Sequence, residues 1–394
     1  MLTRPRNSKL IYVLGVCGLA AIFSSTLAKT PTLPLFASHL GAGDALVGWI
    51  AAASTIPGIL MSYLAGACSD RYGRKRILFI ALFIFATAPF LYLLVETPLQ
   101  LAAVRFYHGF ATAIFVPVAM AAIASLSDNR KGEMLSFYSS STLIGRAAAP
   151  FAGGILLAVW GFPGVFLTCA LTGVMAMVIG SSFWSGAGED DLPKAGGQEA
   201  QPTEKFLGNL RTLLGHRQLL LVGSLEAAVF FSYGAFEVLL PLYARQQFLE
   251  IWHIGIIMGL QLAGVIVFKP LFGRLSDQIG RMRVILAGLA VCAVSVGGLT
   301  FWSSLAGILT LNIGFGLGFA MVTSSTRPLA AETARKGQIG ASLGILSTLM
   351  DIGQAAGPPA MGIISALLGY QTAFLVLAMI LSAAFLSAAA AKNK

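Results

Sequence analysis

Long apolar stretches recur along the whole chain and are separated by short polar segments. A helix of roughly 20 apolar residues spans the hydrocarbon core of a bilayer, so each stretch predicts a transmembrane helix. A membrane β-barrel would instead show alternating segments of about ten residues, which this chain lacks. The predicted spans lie near residues 10–35, 44–66, 77–96, 99–126, 134–159, 163–184, 218–243, 252–273, 283–303, 305–327, 338–368 and 371–391.

The composition narrows the classes of protein to which the chain can belong. Hydrophobic residues make up 57% of the chain and charged residues only 11%, whereas soluble domains carry about 25% charge. This composition and the mean hydropathy of +0.81 exclude a soluble enzyme and a disordered protein. They also exclude a nucleic-acid-binding domain, despite the net charge of +10. The cysteines show neither paired spacing nor a cluster with histidine, so we expect no disulfide and no metal site. They are Cys17, Cys68, Cys169 and Cys292.

The basic residues indicate the orientation of the chain in the membrane. The termini and every second polar segment hold 21 of the 26 Lys and Arg, whereas the loops on the opposite side hold only Arg245. The positive-inside rule therefore predicts a multi-pass protein of the inner (plasma) membrane with both termini in the cytoplasm. The first stretch could be a signal peptide, but it lacks an A-x-A cleavage pattern and has a counterpart in the second half.

The two halves of the chain resemble one another at a nearly constant offset. Residues 66–76 match 273–283 at an offset of 207, with six of eleven positions identical, and residues 144–150 match 352–358 at 208. We therefore expect an all-α integral membrane protein whose twelve helices form two pseudo-symmetric six-helix bundles.

The expected bundles occupy residues 1–184 and 218–394. The segment 185–217 between them has the composition of a cytoplasmic linker. Its second part has apolar residues at helical spacing, so it is either a helix on the membrane surface or a simple tether.

A segment rich in glycine and arginine follows the second predicted span. It reads Gly66-x-x-x-Asp70-Arg71-x-Gly73-Arg74-Lys75-Arg76 and resembles motif A of the major facilitator superfamily. The resemblance implies that Asp70 latches the outward-facing state against the other half of the protein. A basic loop that sets topology, with a turn, is the alternative. With the repeat counterparts, the predicted latch residues are Gly66, Asp70, Arg71, Gly73, Arg74, Asp277 and Arg281.

Two further runs resemble the drug:proton antiporter branch of that superfamily. Leu101-x-x-x-Arg105-x-x-x-Gly109 is similar to motif B, and the run from Gly145 to Gly154 resembles motif C, with alanine where that pattern usually has glycine. Small residues four apart let another helix approach closely, and the resemblance implies that this face seals the path against ion leak. Ordinary helix packing is the alternative. The motif C residues are Gly145, Ala149, Pro150, Gly153 and Gly154.

Ionisable residues within spans cost about 2.5–3.5 kcal/mol each on insertion, so they are candidates for function. The resemblance implies that Arg105 acts in proton coupling through the pKa of a nearby acid. Glu226 and Glu237 share one face of the seventh predicted span. Glu226 could instead be a solvated residue, and Glu237 could be an ion-pair partner of Lys29. The candidates for proton coupling and the cavity are Arg105, Glu237, Lys29, Glu226, Asp351 and Arg146.

The resemblance implies a secondary active transporter, and the leading hypothesis is a proton-coupled exporter of a small organic solute that works by alternating access. Lys29, Arg105 and Arg146 favour an anionic substrate, so a proton symporter or facilitator of an organic anion is the alternative. A membrane-embedded enzyme or receptor is a more remote one, because the chain has no metal pattern, G-x-S-x-G or phosphate loop. We expect no cofactor besides the proton gradient, no nucleic-acid partner and a monomer in the lipid bilayer.

Overall fold

The computed structural model describes residues 5–126, 130–184, 217–333 and 339–392. These residues form α-helices joined by short turns, and no β-strand occurs among them. Apart from Arg217, the predicted linker 185–217 with its surface helix lies outside the described residues.

In the first half of the chain, the described helices are α1 (Pro5–Lys29), α2 (Thr32–His39), α3 (Asp44–Ala53), α4 (Thr55–Tyr72), α5 (Arg74–Tyr92), α6 (Pro98–Leu126) and α7 (Lys131–Trp184). In the second half they are α8 (Arg217–Gln246), α9 (Ile251–Ile279), α10 (Arg281–Gly298), α11 (Leu305–Thr333) and α12 (Ile339–Lys392).

Ten stretches of the described residues are long and apolar enough to cross a membrane. Two of them, Gly132–Ser181 in α7 and Ser342–Ala391 in α12, are 50 residues long, more than twice what one crossing requires. Each contains one glycine with a non-helical backbone, Gly161 or Gly369. These glycines lie between two predicted spans, so the sequence divides each stretch in two where the structure has only a one-residue break.

Prolines interrupt the first two predicted spans. Pro31 lies between α1 and α2, so the span predicted at 10–35 consists of two helices. In the next span, α3 and α4 meet at Ser54. Ser54 keeps a right-handed helical backbone, and Pro57, which has no N–H to donate to the carbonyl of Ala53, accounts for the hydrogen bond that is missing there.

The chain divides into two compact units. The first comprises Met1–Gly41 and Ala53–Ala200, and the second comprises Ala42–Ala52 and Gln201–Lys394. In the first unit α7 packs against α1 and α5, and α6 packs against α4 and α5. In the second, α12 packs against α8 and α10, and α11 packs against α9 and α10. The sequence repeat relates each of these pairs to its counterpart, so the two units are built by the same helix pairing.

The turns repeat as closely as the helices. Six of the described residues have a left-handed backbone, and the repeat offset arranges them in three pairs: Gly41 with Phe248, Gly73 with Gly280, and Gly161 with Gly369. Glycine adopts this conformation without steric cost, so five of the six positions are explained by residue type. Phe248 is the exception, with a φ of 60°.

Candidate functional site

A buried polar cluster surrounds Arg105 in the first unit. The Arg105 side chain is 3% exposed. Its Nη2 donates a hydrogen bond to Oγ of Ser54 at 2.7 Å, and its Nη1 donates to the hydroxyl of Tyr92 at 3.3 Å. That hydroxyl lies 3.2 Å from Nδ1 of His108, and the Tyr92 ring stacks on Phe166 with centroids 4.9 Å apart. The predicted proton-coupling arginine is therefore held by hydroxyl groups.

Donor and acceptor chemistry fixes the direction of the bond between Arg105 and Tyr92. A guanidinium can only donate, so the Tyr92 oxygen accepts from Arg105. The direction of the bond between the Tyr92 hydroxyl and Nδ1 depends on the tautomer of His108, whose Nε2 has no hydrogen-bond partner among the described residues. The result is a positive charge in the interior of the first unit, whose guanidinium is held in place by the hydroxyl groups of Ser54 and Tyr92.

The other two basic candidates of the first unit differ from Arg105 in exposure. Lys29 is half-buried and is the last residue of α1, where the helix dipole favours a positive charge. Arg146 is exposed on α7 and forms no ion pair with any described residue. The roles predicted for Lys29 and Arg146 stay predictions.

Glu226 is the buried acid of the second unit. It lies on α8 and is 1% exposed, so the alternative that placed it in solvent is wrong. The Thr326 hydroxyl on α11 donates a hydrogen bond to Oε2, whereas Oε1 has no hydrogen-bond partner among the described residues. The positive charges of Arg327 and Lys269 act on this carboxyl group.

The remaining acidic candidates are only half-buried. Glu237 lies further along α8, and its pairing with Lys29 stays a prediction. Asp351 lies on α12, where the charge of Arg327 acts on it as it does on Glu226. Sequence reasoning missed Thr326 as the partner of Glu226, because no spacing rule relates residues 100 positions apart.

A one-residue turn within the motif A run separates α4 from α5. Gly73 occupies it with a φ of 91°, a conformation that glycine favours. The buried Arg74 that follows donates a hydrogen bond to Ser125 near the end of α6. The surroundings of Gly66, Asp70 and Arg71 lie outside the described part of the structure, so the latch stays a prediction.

The second unit contains the same contact in charged form. Arg281, the counterpart of Arg74, pairs with Asp277 and, at 3.1 Å, with Glu332 near the end of α11. It also donates to Oγ of Ser276 at 2.7 Å. Glu332 is the repeat counterpart of Ser125. Each repeat therefore uses its motif arginine to connect a helix start to the end of the equivalent neighbouring helix.

The motif C face packs against α1 within the first unit. A Cβ on Gly145 would overlap the carbonyl oxygen of Leu19, and one on Gly153 would lie 3.2 Å from Leu27. Ala149 is fully buried on the same face, and Pro150 and Gly154 are buried as well. The small residues thus bring two helices of one unit together, and the predicted role as a seal against ions stays a prediction.

The comparisons with known proteins agree with this architecture. Residues 14–251 and 229–392 match the Major Facilitator Superfamily. The staphyloferrin B transporter of Staphylococcus aureus is 23% identical over 379 residues, which cover 95% of this chain and 88% of the relative. The multidrug resistance protein MdtG of Salmonella typhimurium is 31% identical over 176 residues, 43% of each chain.

A solved structure of the nucleoside transporter NupG, in a variant form, shares the fold. Its TM-score is 0.83 at 14% sequence identity, over 97% of this chain and 99% of that one. The family match extends through both halves of the chain, as do the internal repeat and the repeated helix pairing. The chain therefore belongs to the Major Facilitator Superfamily, and the protein is a multi-span membrane transporter and not an enzyme.

Proposed function

We propose that this transporter exports a small organic solute across the inner membrane in exchange for protons, by alternating access. The chain crosses the membrane twelve times, with both termini in the cytoplasm, because α7 and α12 each cross twice and turn at Gly161 and Gly369. The proton gradient supplies the energy. The observation that carries the proposal is the burial of Glu226 within a span of the second unit.

The surroundings of Glu226 suit a group that gains and loses a proton. Oε2 is occupied by the hydrogen bond from Thr326, whereas Oε1 has no partner among the described residues. Oε1 is therefore the oxygen proposed to receive the proton, while Thr326 keeps the carboxyl group in place. Acids inside membrane spans commonly mark proton relays in transporters.

Exchange requires that the proton and the solute compete, so solute affinity should rise with pH in the wild-type protein. The first prediction is that Glu226→Gln abolishes this pH dependence, because the amide cannot take up the proton. Solute binding to purified protein at several pH values measures the pH dependence of affinity, and flux in proteoliposomes under an imposed pH gradient measures the exchange. Glu237→Gln is the matched control on the same helix.

Two outcomes would contradict this proposal. If wild-type flux ignores the pH gradient, the transporter is not proton-driven. If Glu226→Gln keeps the wild-type pH dependence while Glu237→Gln loses it, Glu237 carries the proton.

A second candidate function is proton symport, or facilitated transport, of an organic anion. The ionisable candidates of the first unit favour this function, because all three are basic and basic residues attract an anion. They are Lys29, Arg105 and Arg146. The staphyloferrin B relative supports a solute of defined chemistry, whereas the MdtG relative supports a range of drugs. In symport the proton and the anion reinforce each other, so solute affinity would fall as pH rises, opposite in sign to exchange.

A further inference from the structure

Tyr92 supplies a fixed acceptor for one end of the Arg105 guanidinium. The residue is 1% exposed, and its ring stacks on Phe166 with the centroids 4.9 Å apart. Its oxygen lies at the end of a rigid ring, so the oxygen moves only if the stacked ring moves. This oxygen accepts from Nη1 of Arg105 at 3.3 Å. Because a guanidinium is planar, the Tyr92 oxygen at one terminal nitrogen and the Ser54 hydroxyl at the other determine its orientation.

His108 contacts the same hydroxyl group. Its Nδ1 lies 3.2 Å from the Tyr92 oxygen, and the residue is 2% exposed. A phenolic hydroxyl can both donate and accept, so this contact restrains the oxygen in either tautomer of His108. The imidazole is restrained in turn, because it lies perpendicular to the ring of Phe85 with the centroids 5.8 Å apart. Arg105 and His108 are three positions apart on α6, so they lie on one face of that helix.

Arg105 depends on hydroxyl groups because no acid compensates its charge. It forms no ion pair with a described residue, and its Nε has no hydrogen-bond partner in the described part of the chain. A buried charge is costly unless it is hydrogen-bonded. Without the Tyr92 hydroxyl, Ser54 would be the only acceptor left to the guanidinium among the residues that the structure describes.

The second repeat lacks all three polar side chains of this group. At the positions of the tyrosine, the arginine and the histidine it has Leu299, Asn312 and Phe315. The shorter Asn312 donates to the backbone carbonyl of Ile257 at 2.6 Å and so needs no tyrosine as acceptor. Helix packing does not account for the difference, because α10 and α11 pack together as α5 and α6 do. The tyrosine and the histidine accompany the arginine, which indicates that they serve it.

We propose that Tyr92 and His108 are positioning residues for Arg105. His108 restrains the Tyr92 hydroxyl, and this hydroxyl holds one end of the guanidinium in the orientation in which Arg105 acts during transport. The inference rests on the proposed function and adds to it two residues that none of the motifs includes. Both act through Arg105, so neither has to bind the solute or carry the proton.

The test measures the motion of the Arg105 guanidinium. Protein with ¹³C- and ¹⁵N-labelled arginine is placed in vesicles of phosphatidylethanolamine and phosphatidylglycerol, and solid-state NMR gives the order parameter S² of each guanidinium. The signal of Arg105 is the one that disappears in Arg105→Gln. In Tyr92→Phe its S² should fall from about 0.85, typical of a rigid group, to below about 0.6, because Nη1 loses its acceptor while the stacked ring remains.

Two substitutions of His108 separate its hydrogen bond from its packing. The amide of asparagine places a polar atom near the position of Nδ1, whereas the amide of glutamine reaches towards that of Nε2, which has no partner among the described residues. His108→Asn should therefore preserve the order of the Arg105 guanidinium, and His108→Gln should lower it. Adding His108→Gln to Tyr92→Phe should lower it no further, because both act through one hydroxyl.

The matched control is Tyr107→Phe. It removes another tyrosine hydroxyl that bonds α5 to α6, since the Tyr107 oxygen lies 2.8 Å from Oγ1 of Thr87. If Tyr92 served only to join these two helices, the two tyrosine variants would behave alike. Under the proposal, Tyr107→Phe keeps the wild-type order of the Arg105 guanidinium and the wild-type flux. Tyr92→Phe should lower pH-driven flux in proteoliposomes about tenfold, the effect of losing one hydrogen bond to a charged group.

An unchanged order parameter of Arg105 in Tyr92→Phe would overturn the proposal, as would equal values in the two His108 variants. Full flux in Tyr92→Phe with a mobile guanidinium would overturn it as well. If a His108 variant fails to fold, Tyr92→Phe and its control decide alone. The order parameter requires neither a solute nor a proton gradient. A wild-type protein without proton-driven flux would therefore contradict the proposed function and leave the measurement of Arg105 intact.

Discussion

At the scale of single residues, Phe248 stands out from the backbone geometry of its own repeat. It has a left-handed backbone where the first repeat has Gly41, and its side chain is 93% exposed. A residue with a Cβ pays about 1–2 kcal/mol for this conformation. The exposed ring gains little from packing within the protein in return. The conformation of the turn is therefore imposed by its surroundings and not by a preference of Phe248.

Phe248→Gly should therefore stabilise the protein. Removing the steric cost favours the folded state, and the greater chain entropy of glycine in the unfolded state offsets part of that gain, so we expect a net gain of about 0.5–1 kcal/mol. Thermal unfolding in detergent measures it. Phe248→Ala removes the same ring and keeps a Cβ, so it should gain nothing. Equal melting temperatures for the two variants would show that the ring, and not the backbone, matters.

At the scale of helices, glycines set the distance between α1 and α7 and between α8 and α12. Gly145 faces the Leu19 carbonyl, and its counterpart Gly353 faces the Ala227 carbonyl in the same way. Along the same face, Gly357 has no room for a Cβ beside Phe231, whereas the first repeat has Ala149 at that position. The first helix pair therefore accommodates a methyl group that the second could not.

Gly145→Ala should destabilise the protein by about 1–3 kcal/mol, because the added methyl group meets a backbone carbonyl that cannot move aside without shifting α1. Gly264→Ala is the control, since a Cβ there has nothing within 4 Å and alanine is the better helix former. Melting temperatures of the two variants in detergent decide the matter. An equal effect at both positions would mean that helix propensity, and not packing, dominates at Gly145.

The helices were largely predictable, and the exceptions have local causes. Apolar length predicted the spans, but it could not show that Pro57 divides one of them, since prolines such as Pro241 lie inside unbroken helices. Nor could it show that the breaks at Gly161 and Gly369 would be confined to one residue. A single glycine accommodates each break because glycine adopts a positive φ without steric cost.

At the scale of the whole molecule, the repeat was visible in the sequence and the contacts at the candidate site were not. A constant offset survives in sequence because equivalent turns need glycine and equivalent arginines contact equivalent helix ends. Thr326 and Glu226, by contrast, meet only after α8 and α11 have packed together. The hydroxyl partners of Arg105 are Tyr92 on α5 and Ser54 between α3 and α4, whereas the sequence pointed to an acidic partner.

The repeat also suggests how the predicted latch can be tested. Asp277→Asn should leave turnover nearly unchanged and should change the free energy of unfolding by only about 0–1 kcal/mol. Asp277 is 58% exposed, and Arg281 keeps its ion pair with Glu332. Asp70→Asn should slow turnover while solute binding is retained, because a contact made in one state only is lost. Distances between spin labels on the two halves would report the populations. Equal turnover in both variants, with unchanged distances, would remove Asp70 from the mechanism.

The backbones of α3 and α12 are in contact, since a Cβ on Gly48 would overlap the carbonyl oxygen of Pro358. This contact has a consequence for how the protein is made. The two residues are separated by about 300 positions, so the ribosome needs roughly 15–60 s to reach the second after completing the first. During that interval α3 is in the membrane without the neighbour that covers it in the finished protein. The segment Ala42–Ala52, which belongs to the second unit, therefore cannot reach its final arrangement until Pro358 has been made, and nascent chains released before Pro358 should expose this part of α3 to quality-control proteases.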